Sequence, residues 1–336
     1  MVFVTGGTGL VGSHIICQLL SNGHQVRALC RQNSDKTWFD RTSKWLLGEA
    51  HSSLITKLEW VIGDVTDIVS LLDGMEGCQQ VYHAAAVVSF AKSDQDQLKK
   101  INIEGTANVV NACLASQPTT DLCFISSTAS IGGVEKKLVD ESEVYTVDQA
   151  NSYYSTTKYL AELEVIRGRE EGLNTAIINP CIVLGFGNWH KGSARIFKNG
   201  KQGFPFYTGG ANAFVDARDV ALAACTLMDN HKFESRFLCA AWNMKFYDVF
   251  TAIASGFGSK LPRIKVSPLL AGIAWRLASV VRFFTGAGII TKESAQAGLK
   301  TRLYDSSKLL NQTNVKFRDF DTSIKEICNA FETVKA

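Results

Sequence analysis

The chain has 336 residues, of which 46% are hydrophobic and 20% charged, and its formal net charge is +3. This length can bury a large core in one or two domains, and the small, dispersed charge argues against nucleic-acid binding. Nine cysteines without regular spacing favour a reducing compartment, so we expect a cytoplasmic protein. No uncharged apolar run is long enough to span a membrane.

The first half of the chain alternates short β-branched runs with helical patterns, which predicts an α/β doubly wound parallel sheet with its site at the carboxyl ends of the strands. The predicted strands cover 1–5, 24–30, 58–65, 79–86, 121–127 and 174–180, and the predicted helices cover 9–23, 33–57, 98–116 and 151–172. A looser pattern after Pro180 predicts a smaller C-terminal α/β cap. We therefore assign 1–180 and 211–230 to the dinucleotide-binding domain, and 181–210 and 231–336 to the cap.

A glycine-rich turn, TGGTGLVG, follows the first strand and opens the first helix. Its glycines fit two patterns, G-x-G-x-x-G on Gly7, Gly9 and Gly12, or G-x-x-G-x-x-G on Gly6, Gly9 and Gly12. Either pattern brings backbone N–H groups and the positive helix end to a pyrophosphate, in the structural context that such a motif requires. The other expected cofactor contacts in this turn are Thr8, Leu10 and Val11.

The end of the second strand discriminates between the two nicotinamide cofactors. NAD-binding sites place an acidic residue there for the ribose hydroxyls, whereas this chain has Arg31 and no acid before Asp35. A guanidinium matches a 2′-phosphate, and Lys36 or Ser34 can assist, so NADP(H) is favoured over NAD(H). The alternative is that Arg31 is merely solvated and that an acidic residue elsewhere in the chain binds the ribose.

Later strand ends offer further cofactor contacts. GDVTD after the third strand places Asp64 and Val65 at the adenine edge. HAAA after the fourth strand supplies side chains too small to collide with a dinucleotide, namely Ala84, Ala85 and Ala86.

The strongest chemical signal is Tyr154-Ser-Thr-Thr-Lys158 in a helical stretch. The i, i+4 spacing puts both side chains on one helix face, where the lysine ammonium is expected to lower the pKa of the phenol and make it an acid or base. A hydroxyl after the fifth strand can hold the substrate oxygen, and three residues compete for this role: Ser126, Ser127 and Thr128.

Several short motifs follow one another along the chain in a characteristic order: TGGTGLVG, GDVTD, HAAA, INIEGTANV, SST, YSTTK, NPCIVLG and FVDARDVA. In these motifs and their order the chain resembles the extended short-chain dehydrogenase/reductases, a Rossmann-fold family. The resemblance covers residues 4 to about 222 and implies the glycine register of Gly6, Gly9 and Gly12. It also implies that Tyr154 and Lys158 are the catalytic pair. It further implies site roles for Asn102, on a helix, and for Ser126, as a cofactor contact. For the catalytic hydroxyl, an alignment like that of sugar epimerases selects Thr128, which we slightly prefer, and one like that of dihydroflavonol reductases selects Ser127.

The segment NPCIVLGFG resembles the dihydroflavonol 4-reductase and 3β-hydroxysteroid dehydrogenase branch, and this implies that Pro180 and Val183 lie beside the nicotinamide. We expect an NADP(H)-dependent oxidoreductase that reduces a ketone or aldehyde, or performs the reverse reaction, on a small molecule. The alternatives are a sugar-nucleotide epimerase or dehydratase with a tightly held nicotinamide, and a non-catalytic NADP-binding protein.

The substrate pocket and the surfaces are less defined. Aromatic residues after Pro180 suggest an apolar or aromatic pocket, and the alternative is that they belong to the core. The candidate substrate residues are Ser89, Phe90, Phe186, Trp189 and Phe206. His190 lacks a second metal ligand at a suitable spacing, so no metal is expected. Segment 268–290 is interpreted as a lid or core helix in preference to an interfacial membrane helix. We expect a monomer or a homodimer built on helices 97–115 and 150–171.

Overall fold

The computed structural model describes residues 1–116, 120–131, 138–146, 152–233, 235–267 and 298–334. Its strands are β1 (Val2–Thr5), β2 (Val26–Cys30), β3 (Leu58–Ile62), β4 (Gln80–His83), β5 (Asp121–Ile125), β6 (Leu138–Val139), β7 (Thr175–Pro180), β8 (Ile182–Leu184), β9 (Phe206–Thr208), β10 (Ala211–Asp216), β11 (Ser235–Cys239), β12 (Trp242–Lys245), β13 (Ile264–Val266) and β14 (Leu303–Tyr304).

The helices are α1 (Leu10–Ser21), α2 (Thr37–Leu47), α3 (His51–Leu54), α4 (Ile68–Met75), α5 (Gln95–Leu98), α6 (Gly105–Ala115), α7 (Tyr153–Glu170), α8 (Arg195–Lys201), α9 (Ala217–Asp229), α10 (Phe246–Gly256), α11 (Ser307–Thr313) and α12 (Phe320–Thr333). A π-helical turn, Lys99–Glu104, joins α5 to α6. The irregular helical stretch predicted at 33–57 is confirmed as α2 and α3 with short 3₁₀ turns.

The central sheet has seven parallel strands in the order β11-β7-β5-β4-β1-β2-β3. The chain winds outward from β1 through β2 to β3, then returns to β4 on the other side of β1. The carboxyl ends of β1 and β4 therefore border a topological switch point, where α/β sheets form their ligand crevice. This arrangement confirms the predicted doubly wound fold.

Helices cover both faces of the sheet because successive side chains of each strand point to opposite sides. Val4 contributes to the cluster beneath α1 and α9, whereas its neighbour Phe3 lies in the cluster beneath α6 and α7. All nine cysteines are buried and free. The central strands are thus enclosed on both sides, as the near-continuous apolar runs predict.

Two strands pair outside the domain to which the sequence assigns them. Residues 231–336 were assigned to the cap, but β11 extends the central sheet by pairing with β7, where Phe237 lies opposite Ile178. Residues 211–216 were assigned to the dinucleotide-binding domain, but β10 lies in a separate three-stranded sheet, β12-β10-β8. Helix α9, which follows β10, packs against α1. Strand pairing between segments far apart in sequence leaves no local signal, so the division into domains stays a prediction.

A third hydrophobic cluster forms where α10 packs against α8 and α12. It is rich in phenylalanine, and its fully buried members include Phe186, Phe197 and Phe214. Within the described ranges, no helix is long and apolar enough to cross a membrane. The predicted lid segment at 268–290 lies outside those ranges.

Candidate active site

The turn between β1 and α1 is shaped by three glycines. Gly6 has a φ of +72°, and a Cβ there would lie 2.6 Å from the backbone nitrogen of Ala85. A Cβ on Gly12 would overlap the carbonyl oxygen of Gly6. The Gly9 N–H donates to that same oxygen over 2.9 Å. The fold therefore depends on the spacing of Gly6, Gly9 and Gly12, and glycine supplies both the close approach and the positive φ.

The N-terminus of α1 is a cradle suited to a phosphate group. Gly9 is the N-cap residue, no side chain caps the helix, and its first turn holds no acidic residue. The first backbone N–H groups of a helix have no partner within it and carry its positive end. Together with the absent Cβ atoms, this uncapped end fits the pyrophosphate of a dinucleotide.

Arg31 lies exposed just after β2, in a tight turn with Ser34. The Arg31 N–H donates to the Ser34 hydroxyl over 3.0 Å, and the Ser34 N–H donates to the Arg31 carbonyl over 2.9 Å. Asp35 accepts a hydrogen bond of 2.9 Å from the N–H of Thr37. The Lys36 ammonium lies over the Trp60 ring at 4.9 Å. The edge of β2 thus presents an exposed Arg31, while Asp35, the first acidic residue after it in the sequence, is held in a local turn.

The two residues predicted to contact the adenine, Asp64 and Val65, lie in the turn after β3. One Asp64 carboxylate oxygen accepts 2.9 Å hydrogen bonds from both the N–H and the hydroxyl of Thr66. Val65 is buried, and its carbonyl accepts a hydrogen bond of 3.0 Å from Asn108. These contacts give the GDVTD turn a defined shape at the edge of the crevice; the adenine roles of Asp64 and Val65 stay predictions.

A buried chain of hydrogen bonds, which the sequence did not predict, connects the last residue of β1 to α6. Thr106 donates to the Asn102 carbonyl over 2.6 Å, so its oxygen accepts from His83 Nε2 at 3.0 Å. The other ring nitrogen, Nδ1, then accepts from the Thr5 hydroxyl at 2.7 Å, and the Ala85 N–H donates to Thr5 over 3.3 Å. Burial lowers the pKa of His83 to about 3, so the ring is neutral. The only sequence signal was a polar residue in an apolar strand.

Asn102 joins two segments that border the crevice. Its side-chain amide accepts from the Val87 N–H at 2.8 Å and donates to the Val87 carbonyl at 3.0 Å. The same amide nitrogen donates to the Thr157 hydroxyl of α7 over 3.1 Å. The π-helical turn that carries Asn102 thereby holds the loop after β4 against α7. Its predicted catalytic role stays a prediction.

Lys158 lies on α7, whose N-terminus is closed by a capping box between Ser152 and Ser155. The side chain is 2% exposed, and its ammonium donates to the Ile125 carbonyl over 2.9 Å. The ammonium also lies 4.3 Å from the centre of the Phe124 ring. Burial lowers the pKa of Lys158 to about 7, against the opposing charge of Glu162.

Tyr154 precedes Lys158 by one helical turn and faces the end of β5. Burial raises the pKa of its phenol to about 12, and a hydrogen bond with Ser127 opposes that shift. The expected lowering of the pKa of Tyr154 is therefore not found, because burial is the largest influence on the phenol and the interaction that opposes it comes from Ser127. At neutral pH the phenol is protonated.

The two competing hydroxyls point to different partners. The Ser127 side chain interacts with the phenol of Tyr154, whereas the Thr128 side chain interacts with the phenol of Tyr304 in β14. These contacts favour Ser127 over the slightly preferred Thr128 as the partner of Tyr154, and the catalytic role of either hydroxyl stays a prediction. Ser126 is buried beside Ser130, with their hydroxyl oxygens 3.2 Å apart. Adjacent residues at the start of a 3₁₀ turn face different directions, which a linear alignment does not reveal.

One predicted substrate residue, Phe90, lies beside Tyr154, and its neighbour Ser89 lies in the same loop. The rings of Phe90 and Tyr154 meet edge to face, with centroids 5.9 Å apart. Ser89 donates to Asp94 over 2.6 Å. A small cavity of about 60 Å³ adjoins this loop, and its lining consists of Ser89, Phe90, Ala91, Lys92, Gln95, Leu98, Ser152 and Tyr153.

The aromatic residues after Pro180 are not brought together as one pocket. Phe186 is fully buried against Trp45 and Phe331, as expected of a core residue, and a substrate role for it stays a prediction. Trp189 stacks on Phe331 at 4.9 Å, and Phe206 is 41% exposed on β9. A substrate role for Trp189 and Phe206 stays a prediction. Pro180 ends β7 and Val183 lies in β8, and their contact with the nicotinamide also stays a prediction.

Comparison with known proteins identifies the family. A model described as the NAD dependent epimerase/dehydratase family matches residues 2–240. The chain belongs to this family. A Synechocystis sp. relative, provisionally named a dihydroflavonol 4-reductase, is 25% identical over 98% of this chain and 94% of its own length. Vestitone reductase from Medicago sativa is 31% identical over 54% of this chain and 58% of its own.

Solved structures show the same extended short-chain dehydrogenase/reductase fold. The structure of gox2253 superposes with a TM-score of 0.80 at 24% identity, covering 99% of this chain and 98% of that one. UDP-glucose 4-epimerase from Thermus thermophilus, solved in complex with NAD, has a TM-score of 0.74 at 19% identity and 99% coverage of both chains. At these identities the likeness establishes the fold of this epimerase/dehydratase-family chain, not its substrate.

Proposed function

We propose that this epimerase/dehydratase-family chain is an NADP(H)-dependent oxidoreductase that interconverts a ketone or aldehyde with its alcohol. The observation that carries the proposal is the convergence of Tyr154, Ser127 and Lys158 at the carboxyl end of β5, in the sheet whose β1 end carries the glycine turn. A protonated phenol, a hydroxyl that contacts it and a buried cation are the groups that reduction of a carbonyl requires.

The cofactor would be held by the glycine turn and by Arg31. Gly6, Gly9 and Gly12 leave room for a pyrophosphate at the uncapped end of α1, and the exposed Arg31 guanidinium suits a 2′-phosphate. When bound, the nicotinamide ring donates or accepts the hydride. This arrangement favours NADP(H) over NAD(H).

The side chains then handle the substrate oxygen and its proton. In the reducing direction, Tyr154 donates the proton of its Oη to the oxygen of the former carbonyl group. The Ser127 hydroxyl orients that oxygen towards the phenol, and the Lys158 ammonium offsets the negative charge left on Tyr154. A pKa of about 12 for Tyr154 keeps the phenol protonated and suits the acid role at neutral pH.

The choice of a carbonyl substrate is supported by relatives named as reductases, including vestitone reductase. Phe90, edge-on to Tyr154, adds an aromatic surface that suits a flat or apolar substrate. A sugar nucleotide, the substrate of the Thermus epimerase, is the competing class.

The test is a screen for NADPH oxidation against aldehydes, flavonoid-like ketones and steroids, run in parallel with NADH. We expect turnover with an apolar carbonyl compound, loss of that turnover in Tyr154→Phe, and NADPH binding within about twofold of the wild type in the variant. Turnover retained by Tyr154→Phe would contradict the catalytic assignment. Conversion of UDP-glucose without net oxidation of the nicotinamide would favour the epimerase alternative.

A further inference from the structure

Glu162 continues the helix face that carries Tyr154 and Lys158, because the three residues are spaced four apart on α7. Its side chain is buried, with 1% of the residue exposed. A buried carboxylate is costly unless charged or polar donors surround it. Its partners therefore indicate what the residue is held against.

Three donors from different strands and turns surround the carboxylate. The Ser130 hydroxyl donates to Oε1 at 2.5 Å, and the Asn179 amide donates to the same oxygen at 2.5 Å. The Arg236 guanidinium of β11 lies 3.7 Å from Oε2. Glu162 thus joins α7 to the turn after β5, to the end of β7 and to the added strand of the sheet.

Two of these donors also contact the backbone of the proposed catalytic serine. The Ser127 carbonyl lies 2.7 Å from the Ser130 hydroxyl and 3.2 Å from the Asn179 amide nitrogen. Ser130 has a single hydroxyl proton, and a carboxylate is a stronger acceptor than a carbonyl. The Ser130 proton therefore goes to Glu162 and fixes the Ser130 side chain, while the Ser127 carbonyl accepts from the Asn179 amide and from the Ser130 backbone N–H over 3.0 Å.

We propose that Glu162 is a positioning residue that holds the Ser127 turn in register with Tyr154 and Lys158 through Ser130 and Asn179. The inference rests on the proposed carbonyl chemistry, in which Ser127 and Tyr154 act on one oxygen atom. A misplacement of about 1 Å between such groups is enough to cost about a hundredfold in rate. Glu162 itself touches neither Tyr154 nor the substrate oxygen in this role.

The experiment compares Glu162→Gln and Ser130→Ala with a matched control, Glu164→Gln. Glu164 lies on the same helix but pairs at the surface with Arg167 over 2.9 Å, so the control removes the same charge without touching the turn. Hydrogen–deuterium exchange followed by mass spectrometry reports on the peptide spanning 126–131. Steady-state kinetics of carbonyl reduction and NADPH titration report on the site.

We expect both test variants to exchange about tenfold faster than the wild type in the 126–131 peptide, with kcat lowered about tenfold or more and NADPH affinity within about twofold. Glu164→Gln should match the wild type in all three measurements. Unchanged exchange in the turn, or an equal rise throughout the sheet, would overturn the inference, and so would faster exchange with an unchanged kcat.

The two proposals fail separately. If the wild type reduces no carbonyl compound, the proposed function fails, and the exchange of the turn alone still decides whether Glu162 holds it. If Glu162→Gln does not fold, Ser130→Ala provides the same comparison, because it leaves the buried charge with Asn179 and Arg236 and removes only the hydroxyl link.

Discussion

The ammonium of Lys158 donates to the carbonyl oxygen of Ile125 over 2.9 Å, so the helix that carries the proposed catalytic pair is joined to the last residue of β5. The contact places a charged group beneath the crevice, over the face of Phe124. Because the side chain is 2% exposed, burial lowers its pKa to about 7. The charge on Lys158 therefore changes within the neutral range.

This shift predicts an alkaline limb in the rate of carbonyl reduction. The cationic form is favoured below pH 7 and lost above it, so kcat for reduction should fall as the pH rises through about 7. Lys158→Arg keeps the positive charge, and its residual activity should show no such limb. Identical pH profiles for the two proteins would contradict the assignment.

Substitution of the neighbouring hydroxyls should separate their roles. Ser127→Ala removes the partner of Tyr154 and should lower kcat by about a hundredfold. Thr128→Val removes the partner of Tyr304 and should cost about 1 kcal/mol of stability while leaving kcat within about threefold. Steady-state kinetics and urea unfolding measure the two effects, and the reverse order of kcat losses would assign the role to Thr128.

Arg31 should determine the preference between the two nicotinamides. Arg31→Ala removes the guanidinium at the end of β2, so we expect the Kd for NADPH to rise about tenfold or more and the Kd for NADH to stay within about twofold. Fluorescence titration measures both. Lys44→Ala, which removes an exposed cation from α2, is the matched control. An equal loss for both cofactors would show that Arg31 does not read the 2′-phosphate.

An added side chain should have different effects at two glycines: at Gly12, in the glycine turn, it overlaps the backbone, whereas at Gly23, after the end of α1, it only strains the backbone. Gly12→Ala forces a Cβ onto the Gly6 carbonyl, and we expect NADPH affinity to fall about tenfold or more. Gly23 has a φ of +90° with nothing within 4 Å of a Cβ, so Gly23→Ala should cost about 1 kcal/mol in stability and leave binding intact. NADPH titration of Gly12→Ala at the wild-type affinity would contradict this account.

Neutral His83 should make the fold sensitive to acid. Its pKa is about 3 in the folded chain against 6.5 for a free side chain, so the unfolded chain binds more protons and stability falls as the pH drops from about 6.5 towards 3. His83→Asn removes this titration, and its stability should fall less steeply with pH in urea unfolding. His14, with a pKa lowered to about 4 by burial, is present in both proteins and cancels in the comparison. Parallel slopes would show that His83 does not titrate on unfolding.

Local patterns in the sequence predicted most of the elements that build the crevice. The alternation of strands and helices up to Pro180 is confirmed, and the glycine spacing that resembles the family is the one the backbone requires at Gly6 and Gly12. The i, i+4 pair of Tyr154 and Lys158 does lie on one helix. Each of these depends on residues close together in the chain, whose sterics and periodicity act locally.

The sequence did not reveal how distant segments meet. Strand β11 joins the central sheet beside β7 across a long insertion. For Phe186 the sequence left open a place in a substrate pocket or in the core, and the residue is fully buried because an aromatic cluster with Phe331 forms around it. Such pairings are decided by the sum of long-range contacts, which no single short segment encodes.

By itself the sequence determined the glycine turn, the doubly wound sheet and the helix that carries Tyr154 and Lys158, since each follows from steric limits and repeat periods within a short stretch. Only the tertiary structure decided that the Tyr154 phenol interacts with Ser127, that burial raises its pKa to about 12, and that Glu162 is held by Ser130. Side-chain direction and pKa depend on which groups surround an atom in space, and folding alone brings those groups together.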